Sequence, residues 1–155
     1  MIFYLFFGVV FAISLLCAWG VSVADFRRRI IPDAYLCPLF LCGLITVAFF
    51  PHWVVSMSSA VVGAVLGYAL GAGVGIVFER ITKDKKAPAP IGMGDIKLLA
   101  TGGIWLGTNG LAVALVVACI TGGIWAKYKH VRFIPFAPFF VFGAILALII
   151  SVFLV

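Results

Sequence analysis

The charged side chains of this 155-residue sequence lie in three short segments that are separated by long apolar runs. All eleven Lys and Arg residues and all five Asp and Glu residues fall within 25–33, 79–97 and 127–132. Hydrophobic residues make up 65% of the chain, whereas soluble domains contain about 45–50%. A water-soluble fold of this length could not bury so much apolar surface. The pattern therefore predicts one integral membrane domain, covering residues 1–155, whose chain crosses the bilayer repeatedly.

The apolar runs predict an all-α, polytopic membrane protein with about six transmembrane helices. A span needs about 20 apolar residues. The first three predicted spans are 2–24, 34–50 and 54–78. The fourth is a short run that begins at 98 and ends at a turn signal at 107–110, and the last two are 111–126 and 135–155. Positive residues in short loops mark the cytoplasmic side of a membrane. All eleven lie in the three odd-numbered loops, so we expect both termini in the periplasm.

The fourth predicted span is too short to cross an ordinary bilayer. From Asp95 to Gly107 there are 13 residues, which cover roughly 20 Å as a helix against a hydrocarbon core of about 30 Å. Either the membrane thins locally, or residues 92–95 lie below the membrane surface. Non-helical backbone at that depth requires shelter from protein or a water-filled cavity.

Four glycines in the third span recur at every fourth position, at Gly63, Gly67, Gly71 and Gly75. This spacing places them on one face of a helix, where the lack of side chains lets another helix approach closely. We interpret this face as a packing surface rather than a ligand site.

The composition argues against nucleic-acid binding and against a metal centre. The net charge is +6, but the cations are confined to loops between spans, so lipid head groups are the expected anionic neighbours. The four cysteines, at positions 17, 37, 42 and 119, form no Cys-x-x-Cys pair, and the two histidines lie in different loops. These spacings predict no zinc cluster, and we expect no cofactor.

Two aspartates are the strongest candidates for chemistry. Asp25 ends the first span and Asp95 begins the fourth, so both should lie at the cytoplasmic rim. Two carboxylates in contact share one proton and titrate in two steps. The ionised acid can then take a proton from water while the neutral acid polarises a carbonyl oxygen, which would hydrolyse a peptide bond. Gly92 and Gly94 would let a substrate strand approach the backbone near Asp95.

Simpler interpretations of both acids remain open at this point. Asp25 could be a loop residue paired with a nearby arginine. Asp95 could cap the N-terminus of the fourth span, a position where Asp is favoured.

Three motifs together resemble a known family. Asp25 with the following Arg27–Asp33 segment, Arg-Arg-Arg-Ile-Ile-Pro-Asp, resembles the first aspartate segment of the type IV prepilin leader peptidases. Residues 92–99, Gly-Met-Gly-Asp-Ile-Lys-Leu-Leu, resemble the Gly-x-Gly-Asp segment of that family. Residues 134–139, Ile-Pro-Phe-Ala-Pro-Phe, resemble a third segment, with Ala137 where Gly is usual. The motifs occur in the family's order, and the resemblance covers nearly the whole chain.

The resemblance implies an aspartic protease of the bacterial inner membrane, with its active site toward the cytoplasm. It would remove the short basic leader from type IV prepilins or from the pseudopilins of type II secretion. By motif matching, Asp25 and Asp95 would be the catalytic pair, and Gly92, Gly94 and Pro32 would contact the substrate. Prepilin or pseudopilin and membrane lipid are the implied partners, and the sequence does not specify an oligomeric state.

The sequence also departs from the family. Full-length members carry an N-terminal region with two Cys-x-x-Cys pairs and methylate the new N-terminus, and this sequence has no such pairs. The resemblance is therefore to a short form, which favours peptidase activity over N-methylation. The alternatives are a small transport or assembly subunit whose rim acids gate ions, and an inactive paralogue.

Overall fold

The described residues of the computed structural model, 1–50, 54–81, 91–129 and 134–154, form five α-helices. The helices are α1 (Ile2–Arg28), α2 (Asp33–Phe49), α3 (Met57–Ile81), α4 (Met93–Lys129) and α5 (Phe136–Leu154). This confirms the all-α prediction. The helices α1, α3 and α4 are long and apolar enough to cross a membrane, while α2 and α5 are shorter apolar helices.

The predicted fourth and fifth spans form a single helical element, α4, whose backbone breaks at Gly107 (φ 64°, ψ −169°). A Cβ at Gly102 would lie 2.5 Å from the ring of Phe140, and a Cβ at Gly122 would lie 3.5 Å from the ring of Phe139. A straight helix would hold residues 102 and 122 about 30 Å apart. Because both contact neighbouring residues of α5, the chain folds back at Gly107. We call the half before the break α4a and the antiparallel half after it α4b.

The helices extend further into the charged segments than predicted. The first helix continues past residue 24 to Arg28, the third continues past residue 78 to Ile81, and the fourth begins at Met93 rather than at residue 98. Arg27 and Arg28 occupy the last turn of α1, where positive charge interacts favourably with the helix dipole. Residues 82–90 and 130–132 of the predicted loops lie outside the described residues.

The glycine face of α3 packs against α4a along most of its length. Gly63, Gly67 and Gly71 are buried. A Cβ at Gly63 would lie 2.5 Å from the carbonyl oxygen of Gly103, and one at Gly67 would also meet the backbone of α4a. The packing prediction is confirmed for these three positions. It is not confirmed for Gly75, where a Cβ would have no atom of the described residues within 4 Å.

The arrangement of the helices leaves a gap between α1 and α4. Each of these two helices packs against both α2 and α5, but within the described ranges no Cα atom of α1 lies within 8 Å of one in α4. Side chains bridge the gap, with the rings of Phe11 and Trp105 6.4 Å apart and those of Phe26 and Trp125 6.1 Å apart. Trp105 also donates a 3.0 Å hydrogen bond from Nε1 to the carbonyl of Leu39, which ties α4a to α2.

Candidate active site

Asp25 lies in the last turn of α1, and its side chain is held by the start of α5. The residue is only 5% exposed. Its Oδ2 accepts a 2.8 Å hydrogen bond from the backbone N–H of Ala137, 112 residues further along the chain. The positive charge of Arg29 also acts on this carboxylate. Asp25 is therefore a buried helical residue, and the interpretation that it is an ordinary loop residue is wrong.

Two prolines explain why the N-terminus of α5 offers this donor. The first N–H groups of a helix have no partner within the helix, and proline has no N–H. Because Pro135 and Pro138 flank the first turn, only Phe136 and Ala137 supply donors there. The positive end of the helix dipole also favours a carboxylate at this position. The motif at 134–139 thus builds an anchoring site for Asp25.

Asp95 is the third residue of α4 and reaches back over its first turn. Its Oδ2 accepts a 3.2 Å hydrogen bond from the N–H of Gly92, a contact like the second half of a capping box. The capping interpretation is therefore correct as a description of this contact. A carboxylate offers about four acceptor positions, and Asp95 is only half-buried. Capping thus leaves most of its acceptor capacity available for other chemistry.

The structure brings Asp25 and Asp95 together at one end of the helices. Their negative charges lie close enough to interact electrostatically. Since α1 and α4 make no close backbone contact among the described residues, the two acids approach each other from opposite walls of the gap between these helices. Each also accepts a backbone N–H from the beginning of a helix. Their positions are thus set by two separate helix starts.

The three residues predicted to contact substrate lie beside Asp95. A Cβ at Gly94 would lie only 2.8 Å from Cβ of Ile31, so the absence of a side chain lets α4 begin against the α1–α2 connection. Pro32 follows Ile31, and its carbonyl accepts the first N–H bonds of α2. A Cβ at Gly92 would lie 3.3 Å from Oδ2 of Asp95. These contacts position Asp95, and the substrate role of the three residues stays a prediction.

An apolar cavity of about 310 Å³ lies further into the fold than the two acids, neither of which lines it. It is lined by α1, α4a and α5, with Leu98 one turn beyond Asp95 and Phe140 one turn beyond Ala137. The hydroxyls on its walls, those of Ser14 and Thr101, donate to backbone carbonyls of their own helices. The cavity therefore presents an apolar surface. Its rim includes residues that are more than 40% exposed, such as Leu15 and Ile149, so it opens sideways between α1 and α5.

Lys97 and Asp33, at the same end of the helices, form a separate ion pair. Nζ of Lys97 lies 2.8 Å from both carboxylate oxygens of Asp33. Lys97 pairs with Asp33 because the first turns of α2 and α4 adjoin. In the described part of the chain, no three His, Cys, Asp or Glu residues are grouped where they could hold a metal ion.

Sequence reasoning did not identify the Ala137 N–H as the partner of Asp25. The signal was present, because two prolines three residues apart at a helix start limit the free N–H donors. That pattern shows only that donors are available there. Which acid receives them depends on the packing of α5 against α1.

The sequence matches the profile of the type IV leader peptidase family over residues 9–127, which is most of the chain. This chain belongs to that family. Curated relatives include the prepilin leader peptidase/N-methyltransferases of Escherichia coli (strain K12), with 30% identity over 83% of this chain and 57% of the relative, and of Burkholderia pseudomallei (strain 1026b), with 31% identity over 88% and 45%. A third, from Dichelobacter nodosus, is 31% identical over 86% of this chain and 44% of its own length.

This member of the type IV leader peptidase family spans about half the length of the curated relatives it matches. No solved structure matches it. The matched region contains both aspartates and the glycines of the second motif, while the α5 motif lies beyond residue 127.

Proposed function

We propose that this protein is a membrane aspartic endopeptidase that removes the leader of type IV prepilins or pseudopilins. The observation that carries the proposal is the approach of Asp25 and Asp95 across the gap between α1 and α4, in a chain of this family. The printed names of the relatives support a prepilin as the substrate. The proposal concerns cleavage of the leader, and N-methylation is not part of it.

The proposed orientation places both acids at the cytoplasmic face of the bacterial inner membrane. Counting α4a and α4b separately gives six helical segments, and we propose that each crosses the membrane, with both termini in the periplasm. The distribution of cations supports this orientation, since positive residues mark the cytoplasmic side. Arg27 and Arg28 at the end of α1, and Lys127 and Lys129 at the end of α4b, lie at the same end as the acids.

In the proposed reaction the two carboxyl groups share one proton and divide the chemistry between them. The ionised acid takes a proton from a water molecule, and the resulting hydroxide attacks the scissile carbonyl carbon. The protonated acid donates a hydrogen bond to the carbonyl oxygen, where negative charge develops. Collapse of the tetrahedral intermediate breaks the C–N bond, and a proton from the dyad goes to the leaving nitrogen. The cycle needs no covalent enzyme intermediate.

We propose that the apolar part of the substrate approaches through the cavity between α1 and α5. The cavity opens sideways, and Leu98 and Phe140 in its lining lie one helical turn beyond Asp95 and Ala137. An apolar helix that enters from the bilayer would bury its side chains there. Its leader end would then unwind at the acids, because a helical peptide bond must give up its hydrogen bonds before hydrolysis.

A transport or assembly subunit with ion-gating acids is the alternative from a different class. Transporters usually place ionisable groups near the middle of the membrane. Here the described Asp and Glu residues lie at helix ends, at positions 25, 33, 79 and 95, which favours the peptidase. An inactive paralogue would share the fold, so only an activity test distinguishes it from an active peptidase.

The test is co-expression with a candidate prepilin, with leader removal measured by the loss of mass of the pilin. We expect cleavage by the wild-type chain and none by Asp25→Ala or Asp95→Ala. Asp33→Ala is the matched control, because Asp33 lies at the same end but pairs with Lys97 instead. Cleavage that survives either dyad substitution would contradict the proposed mechanism. Failure to cut several prepilins would favour the inactive paralogue or the transport subunit.

A further inference from the structure

A second cavity, of about 380 Å³, lies on the outer side of the fold where α2, α3 and α4a meet. Asp33 and Lys97 form its mouth, and apolar side chains line it further in. It is separate from the first cavity, because α2 and α3 line it and neither α1 nor α5 does. The only residue that lines both cavities is Thr101.

The ion pair at the mouth retains capacity for a ligand that carries both charges. The Lys97 ammonium has three donors, and two are accounted for by Oδ1 and Oδ2 of Asp33. Within the part of the chain that the structure describes, the third donor has no protein partner. The Asp33 carboxylate likewise retains acceptor positions. Both side chains are open to the surface, at 47% and 60% exposure.

The walls of this cavity run from the charged end of the helices into the apolar region. Along α2, the lining residues run from Asp33 to Leu41, which corresponds to about 12 Å of helix. Phe40, Leu41 and Tyr68 are all partly exposed and apolar or aromatic. A molecule that follows this surface has a polar group at one end and a hydrocarbon chain beyond it.

We propose that this cavity binds a zwitterionic phospholipid of the phosphatidylethanolamine type. The lipid phosphate accepts a hydrogen bond from the free donor of Lys97, and the lipid ammonium donates to Asp33. The Lys97–Asp33 pair remains intact between them. One acyl chain lies along α2 against Phe40, Leu41 and Tyr68. An anionic head group without the ammonium would satisfy Lys97 but would be repelled by Asp33, so the pair of charges favours the zwitterionic lipid.

The test is native mass spectrometry of the full chain, purified in mild detergent and exchanged into mixtures of phosphatidylethanolamine and phosphatidylglycerol. We expect one phosphatidylethanolamine to be retained preferentially. The double variant Lys97→Met/Asp33→Asn should bind it at least about tenfold more weakly, since it loses two charge-assisted hydrogen bonds. Lys127→Met is the control, because it removes an exposed cation that does not line this cavity.

A second variant tests the acyl-chain part of the site without altering the charges. Cys37 is an exposed, unpaired cysteine that lines the cavity, and Cys37→Trp would fill the space beside it. We expect this variant also to lose the retained lipid. It therefore tests the proposal even if the double variant does not fold. Equal retention of the two lipids, or unchanged retention in either variant, would overturn the proposal. The readout does not depend on peptidase activity.

Discussion

Replacing Ala137 with proline would remove the backbone N–H that holds Asp25 while leaving every side chain of the dyad in place. Ala137 is the second residue of α5, where its N–H has no partner within the helix. Proline is tolerated in the first turn for this reason. A proline disfavours helical conformation in the residue before it. Ala137 precedes a proline and is helical nonetheless, so the first turn of α5 accommodates this restriction. Ala137→Gly keeps the N–H and serves as the matched control.

The expected size of the effect follows from the burial of Asp25. Its carboxylate is 5% exposed and accepts a 2.8 Å hydrogen bond from Ala137. A hydrogen bond to a charged group contributes about 1.5–3 kcal/mol. If that contribution stabilises the reactive arrangement of the dyad, its loss lowers kcat/KM by about 10- to 150-fold, since each 1.36 kcal/mol corresponds to a factor of ten.

The assay compares the rate of prepilin cleavage by the wild type, Ala137→Pro and Ala137→Gly in the same vesicles. Thermal unfolding of each variant shows whether the helices remain assembled. We expect a large loss of rate for the proline variant, near wild-type rate for the glycine variant, and similar unfolding midpoints for both. A folded proline variant that cleaves as fast as the wild type would refute the anchoring role of α5.

Four further glycine substitutions test the close packing and the backbone conformation that hold the fold together. Gly94→Ala should reduce cleavage strongly and destabilise the fold by about 1–3 kcal/mol, because its Cβ would lie 2.8 Å from that of Ile31. Adding Ile31→Gly to this variant removes the clash and should recover part of the cleavage rate. Gly67→Ala should lower the unfolding midpoint because its Cβ would meet the backbone of α4a. Gly75→Ala should be neutral or stabilising by about 0.5–1 kcal/mol, because its Cβ would meet no atom of the described residues within 4 Å. Gly107→Ala should cost about 1–3 kcal/mol from its backbone conformation alone (φ 64°, ψ −169°), and an unchanged midpoint would contradict the fold-back at this residue.

The sequence predicted the helices well because their signals are local. Hydropathy identified each apolar run, and helix formation within a run uses only hydrogen bonds between near neighbours. The glycine period in α3 likewise indicated a close packing face, which is confirmed at each position except Gly75. Helix ends were less accurate, as at Asp25, because charged residues continue a helix when they suit its dipole.

The candidate site was predicted in its residues but not in its geometry. Asp25 and Asp95 could be selected because few carboxylates interrupt the apolar runs, and because each lies in a motif that resembles the family. Their approach could not be read from the sequence, since it depends on α2 and α5 holding α1 and α4 apart at a fixed distance. The apolar cavity further into the fold has the same origin, because it is the space that those four helices leave.

The sequence by itself determined that the chain suits a membrane, that its fold is helical and at which helix ends the charged residues lie. Composition and local periodicity decide these properties. The tertiary structure alone decided that an N–H of α5 anchors Asp25 and that Lys97 pairs with Asp33. Each of these contacts joins residues far apart in sequence or depends on the packing of neighbouring helices. Local preferences do not encode such contacts, because their energy comes from surfaces that meet only after the helices assemble.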